Sequence, residues 1–497
     1  MGSQQEHIVM LPFMAQGHII PFLALAKQVQ QRTGFTITIA NTPLNIQYLR
    51  TTISTTSDDS SRPCIRLAEL PFCSSDHGLP PNTENTEALS FHQIVDLFHA
   101  SKTLQAPFHS LVSGIIEKEG RPPLCIISDV FFGWATEVAK SLGTSNVTFT
   151  TGGGYGTAAY ISLWQNLPHR ATDSDYFALP GFPDSCRFHI TQLHQYLRAA
   201  DGTDAWSRYF QPQIALSLDS SGWLCNTAEE IEPHGLEILR NHVKPPVWTI
   251  GPLLPPALLN HSLSSGSSIF GQRAWKVPGV SPEKCLDWLD KHPQSSVLYI
   301  SFGSQNTISP SQMMELALGL EDSGKPFIWV IRPPVGFDIE GEFRAEWLPE
   351  NFEQRMAESN QGLIVHKWAP QLEILSHKST GVFVSHCGWN SVMESLCVGV
   401  PIIGWPLAAE QCYNSKMLTE DMGVALELTR GRQGALERKE VKRVIELVMD
   451  SKGKGEEMKK KATEIGEKIR DAMREGGSSL KAMDDFVSTM LSKRQGY

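Results

Sequence analysis

The sequence predicts an α/β protein of two domains, each a parallel sheet covered by helices on both faces. Three observations point there. Short apolar runs alternate with helix-like stretches in both halves, a proline-, serine- and glycine-rich segment separates the halves, and 497 residues exceed what one ordinary core holds.

The elements follow in order. His7 to Pro12 is a short apolar strand, the loop Phe13 to His18 follows it, and Phe22 to Val29 is amphipathic at helical spacing. "FTITIA" (Phe35 to Ala40), "CIISD" (Cys125 to Asp129) and "NVTFT" (Asn146 to Thr150) are further strands. Strand-loop-helix order places loop residues at the carboxyl ends of strands, where open α/β sheets bind ligands. From Gly251, "GPLLPPALLNHSLSSGSSIFGQ" lacks sustained periodicity, so residues 251–280 are expected to form a linker with a mobile loop. The second domain then supplies strands at "SVLYISFGS" (Ser296 to Ser304), "PFIWVI" (Pro326 to Ile331), "GLIVHKW" (Gly362 to Trp368), "GVFVSH" (Gly381 to His386) and "VPIIGW" (Val400 to Trp405). Met458, Ala462, Ile465, Ile469 and Met473 recur at three and four residues, as do Leu480, Met483, Val487 and Met490 after Gly476-Gly477. The expected division is 1–250, the linker, 281–475, and a last helix at 476–497 packing back on the first domain.

Composition narrows the partners. A net charge of -10 leaves no basic footprint for nucleic acid. The nine cysteines are scattered with no Cys-x-x-Cys pair, against a disulfide scaffold or a structural zinc site. No run reaches the roughly 18 apolar residues of a spanning helix, and no signal segment leads the chain, so a cytoplasmic monomer acting on small molecules, without membrane insertion, is expected.

Three strand-to-helix junctions fall within one segment: Trp368 to Glu373, Ser385 to Ser391 and Gly404 to Gln411. Parallel pairing would open all three on one sheet edge. At the second, Gly388 permits close backbone approach, and Asn390 and Ser391 stand where a helix begins with unpaired amides, a place that attracts phosphate. His386 can donate a hydrogen bond there, and Glu394, one turn on, can accept from vicinal hydroxyls. Trp368 offers a face on which a base stacks. Glu410, Gln411 and Trp389 suit a ring of hydroxyls. Base, ribose, diphosphate and a polyhydroxylated group compose a nucleotide sugar. Each residue also has a structural reading: the tryptophans as core, Asn390 and Ser391 as helix caps, Glu394 as a surface residue.

The 44 residues from Trp368 to Gln411 closely resemble the signature box of plant secondary-product UDP-sugar glycosyltransferases, through Trp-Ala-Pro-Gln, His-Cys-Gly-Trp-Asn-Ser, Glu394 and the final Glu-Gln. The resemblance implies a GT-B fold, two facing Rossmann-like domains with a deep cleft between them and the nucleotide sugar held mainly by the C-terminal one. It implies that Trp368 stacks on uracil, Ala369 bonds to it through the backbone, and Gln371 and Glu394 address the ribose. His386, Gly388, Asn390, Ser391 and the backbone around Ser304 would address the diphosphate, and Trp389, Glu410 and Gln411 the sugar. The final glutamine resembles members that use glucose, so UDP-glucose is the expected donor, with UDP-galactose or UDP-xylose as the alternative.

The acceptor needs a base. His18 follows Gln16-Gly17 at the first junction, and a neutral imidazole is competent to take a hydroxyl proton. Asp129 ends an apolar strand, where a carboxylate can hold the other ring nitrogen. A structural histidine and a buried hydrogen-bond partner are the alternatives, and both positions match the catalytic pair of the family resembled. Inverting displacement from an α-linked UDP-sugar to a β-glycoside is expected. Phe13, Met14, Phe131, Phe132, Thr150, Tyr155, Trp164, Phe188 and Leu407 are the candidate acceptor contacts, suited to a lipophilic phenolic, flavonoid, terpenoid or steroid. Gly152-Gly153-Gly154 departs from the family pattern and would enlarge or loosen that wall. Asp173-Ser-Asp175 reads as a polar loop rather than a metal site, and no metal or prosthetic group is expected. A nicotinamide-dependent oxidoreductase lacks its Gly-x-Gly-x-x-Gly after the first strand, and a binder without turnover leaves His18 and Asp129 unexplained.

Overall fold

The computed structural model describes residues 5–54, 65–87, 89–243, 246–259, 279–431 and 434–495. The expected mobile loop lies outside the described residues from 260 to 278. Two compact units result, one from Met1–Ile190, Gln195–Leu253 and Asp471–Tyr497, the other from Thr191–His194 and Leu254–Arg470.

The first unit holds β1 (His7–Leu11), β2 (Thr36–Asn41), β3 (Ile65–Glu69), β4 (Cys125–Asp129), β5 (Ser145–Thr150), a small antiparallel ribbon of β6 (Tyr176–Ala178) and β7 (Arg187–His189), then β8 (Trp223–Cys225) and β9 (Val247–Thr249). Its seven-stranded sheet runs β3-β2-β1-β4-β5-β8-β9, parallel throughout. β1 is buried at every residue, as a central strand covered on both faces must be. β3, β8 and β9 escape the sequence reading: the first is a half-exposed edge and the others, three residues each, are too short to show a period. Ile8, Met10, Phe22 and Phe149 pack in one core with Met483, Phe486 and Met490 of the helix Ser478–Gln495. That helix is also tied by Asp485, which accepts from the Trp248 indole at 2.7 Å.

The second unit holds β10 (Val297–Ser301), β11 (Phe327–Ile331), β12 (Gly362–His366), β13 (Thr380–Ser385), β14 (Ile402–Gly404) and β15 (Ala425–Glu427), in the order β12-β11-β10-β13-β14-β15 and again parallel. Leu298 and Ile300 enter one core, Val297 and Tyr299 the other, so the period-two alternation of β10 serves two buried faces. Met458, on the helix Lys454–Met473, joins the first of these. Because β12, β13 and β14 run parallel in one sheet, the three junctions singled out in the sequence leave the same edge.

Candidate active site

Beyond β13 the chain turns through Cys387, at φ 62°, to Gly388, which begins the helix Trp389–Cys397. The Cys387 N–H donates to Ser385 Oγ at 3.2 Å. Asn390 and Ser391 therefore lie inside the first turn, and Gly388, which has no side chain to cap it, stands at the cap. The His386 imidazole explains two glycines. A Cβ on Gly303 would lie 2.6 Å from His386 Nε2, and one on Gly388 2.5 Å from it. Burial, helped by the Arg332 charge, pushes the His386 pKa down to about 4. The ring is thus neutral at pH 7 and keeps one N–H to donate, and its buried Nδ1 has no hydrogen-bond partner among the described residues.

The ribose residues of the sequence reading converge although β12 and β13 are separated by two strands. Gln371 Nε2 donates to Glu394 Oε2 at 2.6 Å and to Ser391 Oγ at 3.1 Å. Both hydrogens of that amide are thereby committed, and Gln371 Oε1 accepts from the Tyr299 hydroxyl at 3.2 Å. Glu394 is buried, not a surface glutamate. Ala369 is buried beside the half-buried Trp368, which follows Lys367 at φ 73°.

After β14, Gln411 Oε1 accepts the Leu407 and Ala408 N–H groups, each at 2.9 Å. Its carbonyl thus shapes the loop and its amide N–H groups are what it can turn to a ligand. Asn414, one turn after Glu410, donates to the Cys387 carbonyl at 3.0 Å and to Glu410 Oε1 at 3.4 Å, joining the second and third junctions. Trp389 is buried. Tyr299, Arg332 and Asn414 were missed in the sequence. The signal for Arg332 was its place directly after a buried strand, the position that also drew attention to Asp129.

In the first unit, β1 and β4 are neighbours, pairing Ile8 with Cys125 through Leu11 with Ser128. His18, in the opening turn of the helix Gln16–Thr33, and Asp129, the last residue of β4, therefore meet: Nδ1 lies 2.6 Å from Asp129 Oδ2. Asp129 is fully buried, and its Oδ1 accepts the Phe131 N–H at 3.1 Å. The carboxylate is pinned on one side by backbone and holds the imidazole with the other.

Aromatic rings surround the pair. Phe13 and Phe131 have centroids 5.7 and 5.4 Å from His18, and Phe13 stacks on Phe98 at 4.4 Å. Phe132 lies 5.4 Å from Phe13, and Phe210 links Phe131 (5.2 Å) to Trp164 (4.9 Å). Phe98 and Phe210 are not among the residues singled out in the sequence. Tyr155 and Phe188 join a different group around Phe182. Met14, Phe132, Trp164 and Phe188 have no exposed surface, and Leu407 belongs to the second unit's core. Thr150 Oγ1 is 2.8 Å from Thr157 Oγ1, a contact inside the fold.

Within the glycine run, Gly154 serves helix packing. Gly154 opens the helix Gly154–Asn166, and a Cβ there would lie 3.0 Å from Leu236. A Cβ on Gly235 would lie 2.7 Å from Tyr155 Cβ. The glycines at 154 and 235 let two helices touch closely. Glu232, buried, accepts from the Gly154 and Tyr155 N–H groups at 2.8 and 3.0 Å, and burial raises its pKa. No cluster of three metal-ligating residues occurs among the described residues, where Asp173 and Asp175 are exposed. No helix among them is long and apolar enough to cross a membrane.

Two parallel α/β units, one with a carboxylate-held histidine and the other with a glycine-lined helix start beside buried hydroxyl acceptors, define an enzyme class: nucleotide-sugar transferases of GT-B architecture. Residues 4–174 match the family "Glycosyltransferase, N-terminal domain" and residues 281–461 match "UDP-glucoronosyl and UDP-glucosyl transferase". UDP-glycosyltransferase 92A1 of Arabidopsis thaliana is 42% identical over 98% of this chain and 97% of its own. Crocetin glucosyltransferase 3 of Crocus sativus is 46% identical over 91% of this chain and 93% of its own. The crystal structure of Glycyrrhiza uralensis UGT73P12 complexed with glycyrrhetinic acid 3-O-monoglucuronide aligns with a TM-score of 0.83 at 28% identity, covering 99% and 97% of the two chains. The chain belongs to the plant family-1 UDP-glycosyltransferases and is a UDP-sugar-dependent glycosylating enzyme of small lipophilic plant metabolites.

Proposed function

We propose that this enzyme transfers glucose from UDP-glucose to a hydroxyl of a phenolic, flavonoid, terpenoid or steroid acceptor, with inversion to the β-glucoside. The observation that carries the mechanism is the 2.6 Å contact between His18 Nδ1 and Asp129 Oδ2. Asp129 keeps the hydrogen on Nδ1, so Nε2 is the basic nitrogen that takes the acceptor proton as the hydroxyl oxygen attacks the anomeric carbon. The imidazolium formed faces a carboxylate. On the donor side the bond to the diphosphate breaks with its electron pair. The UDP formed is stabilised by the helix start at Asn390 and Ser391 and by the single N–H of neutral His386.

Glucose is supported by the residues at the third junction and by relatives named for it. Glu410 accepts hydroxyl hydrogens, while Gln411, with its carbonyl on Leu407 and Ala408, offers N–H groups to sugar oxygens. Fragaria ananassa UDP-glucose flavonoid 3-O-glucosyltransferase 7 is 32% identical over 98% of the chain. The lipophilic acceptor is supported by the rings of Phe13 and Phe131 beside His18.

The test is incubation of the enzyme with UDP-glucose, UDP-galactose and UDP-xylose against a panel of plant phenolics and terpenoids, reading free UDP and product mass, with the anomeric configuration by NMR. A β-glucoside formed fastest from UDP-glucose is expected. His18→Ala should keep UDP-glucose affinity and lose most turnover. An α-product, or an active His18→Ala, would defeat this mechanism.

A further inference from the structure

We propose that Arg332 is a positioning residue for diphosphate binding, gathering the carbonyls of one loop so that its amide N–H groups face outward as an anion nest. The inference rests on the reading that the second unit holds the UDP-sugar. Arg332 follows β11 directly, and β11 neighbours β10, whose carboxyl end leads into Gly303. One guanidinium donates to the carbonyls of Ser304 and Gly303 and, at 3.0 Å, to that of Asn306. Three acceptors from four consecutive residues converge on a single planar fork.

The geometry has a consequence for the other side of the loop. In a trans peptide the N–H points opposite the C=O. With the Gly303 and Ser304 carbonyls turned to Arg332, the Ser304 and Gln305 N–H groups point away from it. Gly303, at φ 75°, supplies the reversal, and a Cβ there would run into the His386 ring. Successive N–H groups in such a turn form an anion-binding concavity. Arg332 thus supports the diphosphate loop from behind, and its charge also acts on His386. A lysine ammonium is a point charge on a flexible stem, without the planar fork needed to hold three carbonyls in these directions.

The experiment is titration calorimetry of Arg332→Met and Arg332→Lys with UDP and with uridine, which lacks the diphosphate. Losing the alignment of charge-assisted hydrogen bonds should weaken UDP by about thirtyfold in the Met variant. Uridine affinity should stay within about twofold, which also reports an intact fold. Arg332→Lys should recover less than half of the loss on a logarithmic scale, and it decides the matter if the Met variant does not fold. UDP affinity unchanged in the Lys variant would overturn the forked geometry in favour of charge alone. Parallel loss of uridine would overturn it in favour of general structural support. If wild type binds UDP and His386→Ala loses it while both Arg332 variants keep it, only this inference falls. If wild type binds neither compound, the donor-site reading falls as well.

Discussion

Asp129→Asn puts the mechanism under the sharpest strain. Asp129 Oδ1 accepts the Phe131 N–H at 3.1 Å and Oδ2 holds His18 Nδ1 at 2.6 Å. An asparagine has one carbonyl for these two donors. Keeping it on the backbone N–H turns the NH₂ toward His18, so Nδ1 must become the acceptor and the hydrogen moves to Nε2. That tautomer cannot take a hydroxyl proton. The alternative rotamer leaves a buried N–H facing an amide and removes the charge opposite the developing imidazolium. Two unit charges about 4 Å apart interact by about 4 kcal/mol at an effective dielectric of 20, equivalent to about a thousandfold in rate. The expected result is kcat lower by about a thousandfold with KM for UDP-glucose within about twofold, because no donor-site residue changes. Steady-state kinetics with a simple phenol checks this, with circular dichroism as the fold control. A nitrophenol already ionised at the assay pH should lose much less, since it brings no proton to remove. Activity within about tenfold of wild type on the simple phenol, or equal losses for both acceptors, would refute a histidine base oriented by this carboxylate.

Gln411→His removes the acceptor for two loop N–H groups, so glucose transfer should fall by about tenfold or more and donor preference should shift, whereas Gln411→Glu keeps the loop bonds and should alter donor preference alone; unchanged donor ratios in both would mean that residue 411 does not read the sugar. His386 has a folded-state pKa near 4 against an ordinary value of 6.5, so the unfolded chain binds its proton first as pH falls. Its contribution is fully present above about pH 6.5 and is lost toward pH 4, by at most about 3 kcal/mol; urea unfolding from pH 7 to 4.5 should show a steeper decline in wild type than in His386→Gln. Gly235→Ala drives a Cβ to 2.8 Å from the Tyr155 backbone nitrogen and 2.9 Å from Glu232, which should cost about 2 kcal/mol in denaturant unfolding; a neutral change would mean the two helices separate freely.

Much of the site was legible because its parts sit at strand ends. A buried strand such as Cys125–Asp129 or Thr380–Ser385 announces itself by its apolar run, and a polar residue ending or following that run is then placed at the ligand edge. His18, Asp129 and the residues from Trp368 to Gln411 were found in that way, with the family pattern assigning their roles. Where strands shrank to three residues, as at Trp223–Cys225, Val247–Thr249 and Ala425–Glu427, no period was available and they passed unseen.

By itself, then, the amino-acid order determined two parallel α/β units, the residue types gathered at the candidate donor site and the candidate pair of histidine and aspartate, since these depend on local periodicity and residue type. Only the tertiary structure decided which of these groups bond to each other. Gln371 gives both amide hydrogens to Glu394 and Ser391, Gln411 gives its carbonyl to its own loop, and Thr150 turns to Thr157. It also decided that Gly154 and Gly235 bring helices together and that Arg332 reaches a loop 26 to 29 residues earlier in the chain. The physical reason is that a hydrogen-bonding group has few partners to give, and which partner it takes depends on distances between segments far apart in sequence.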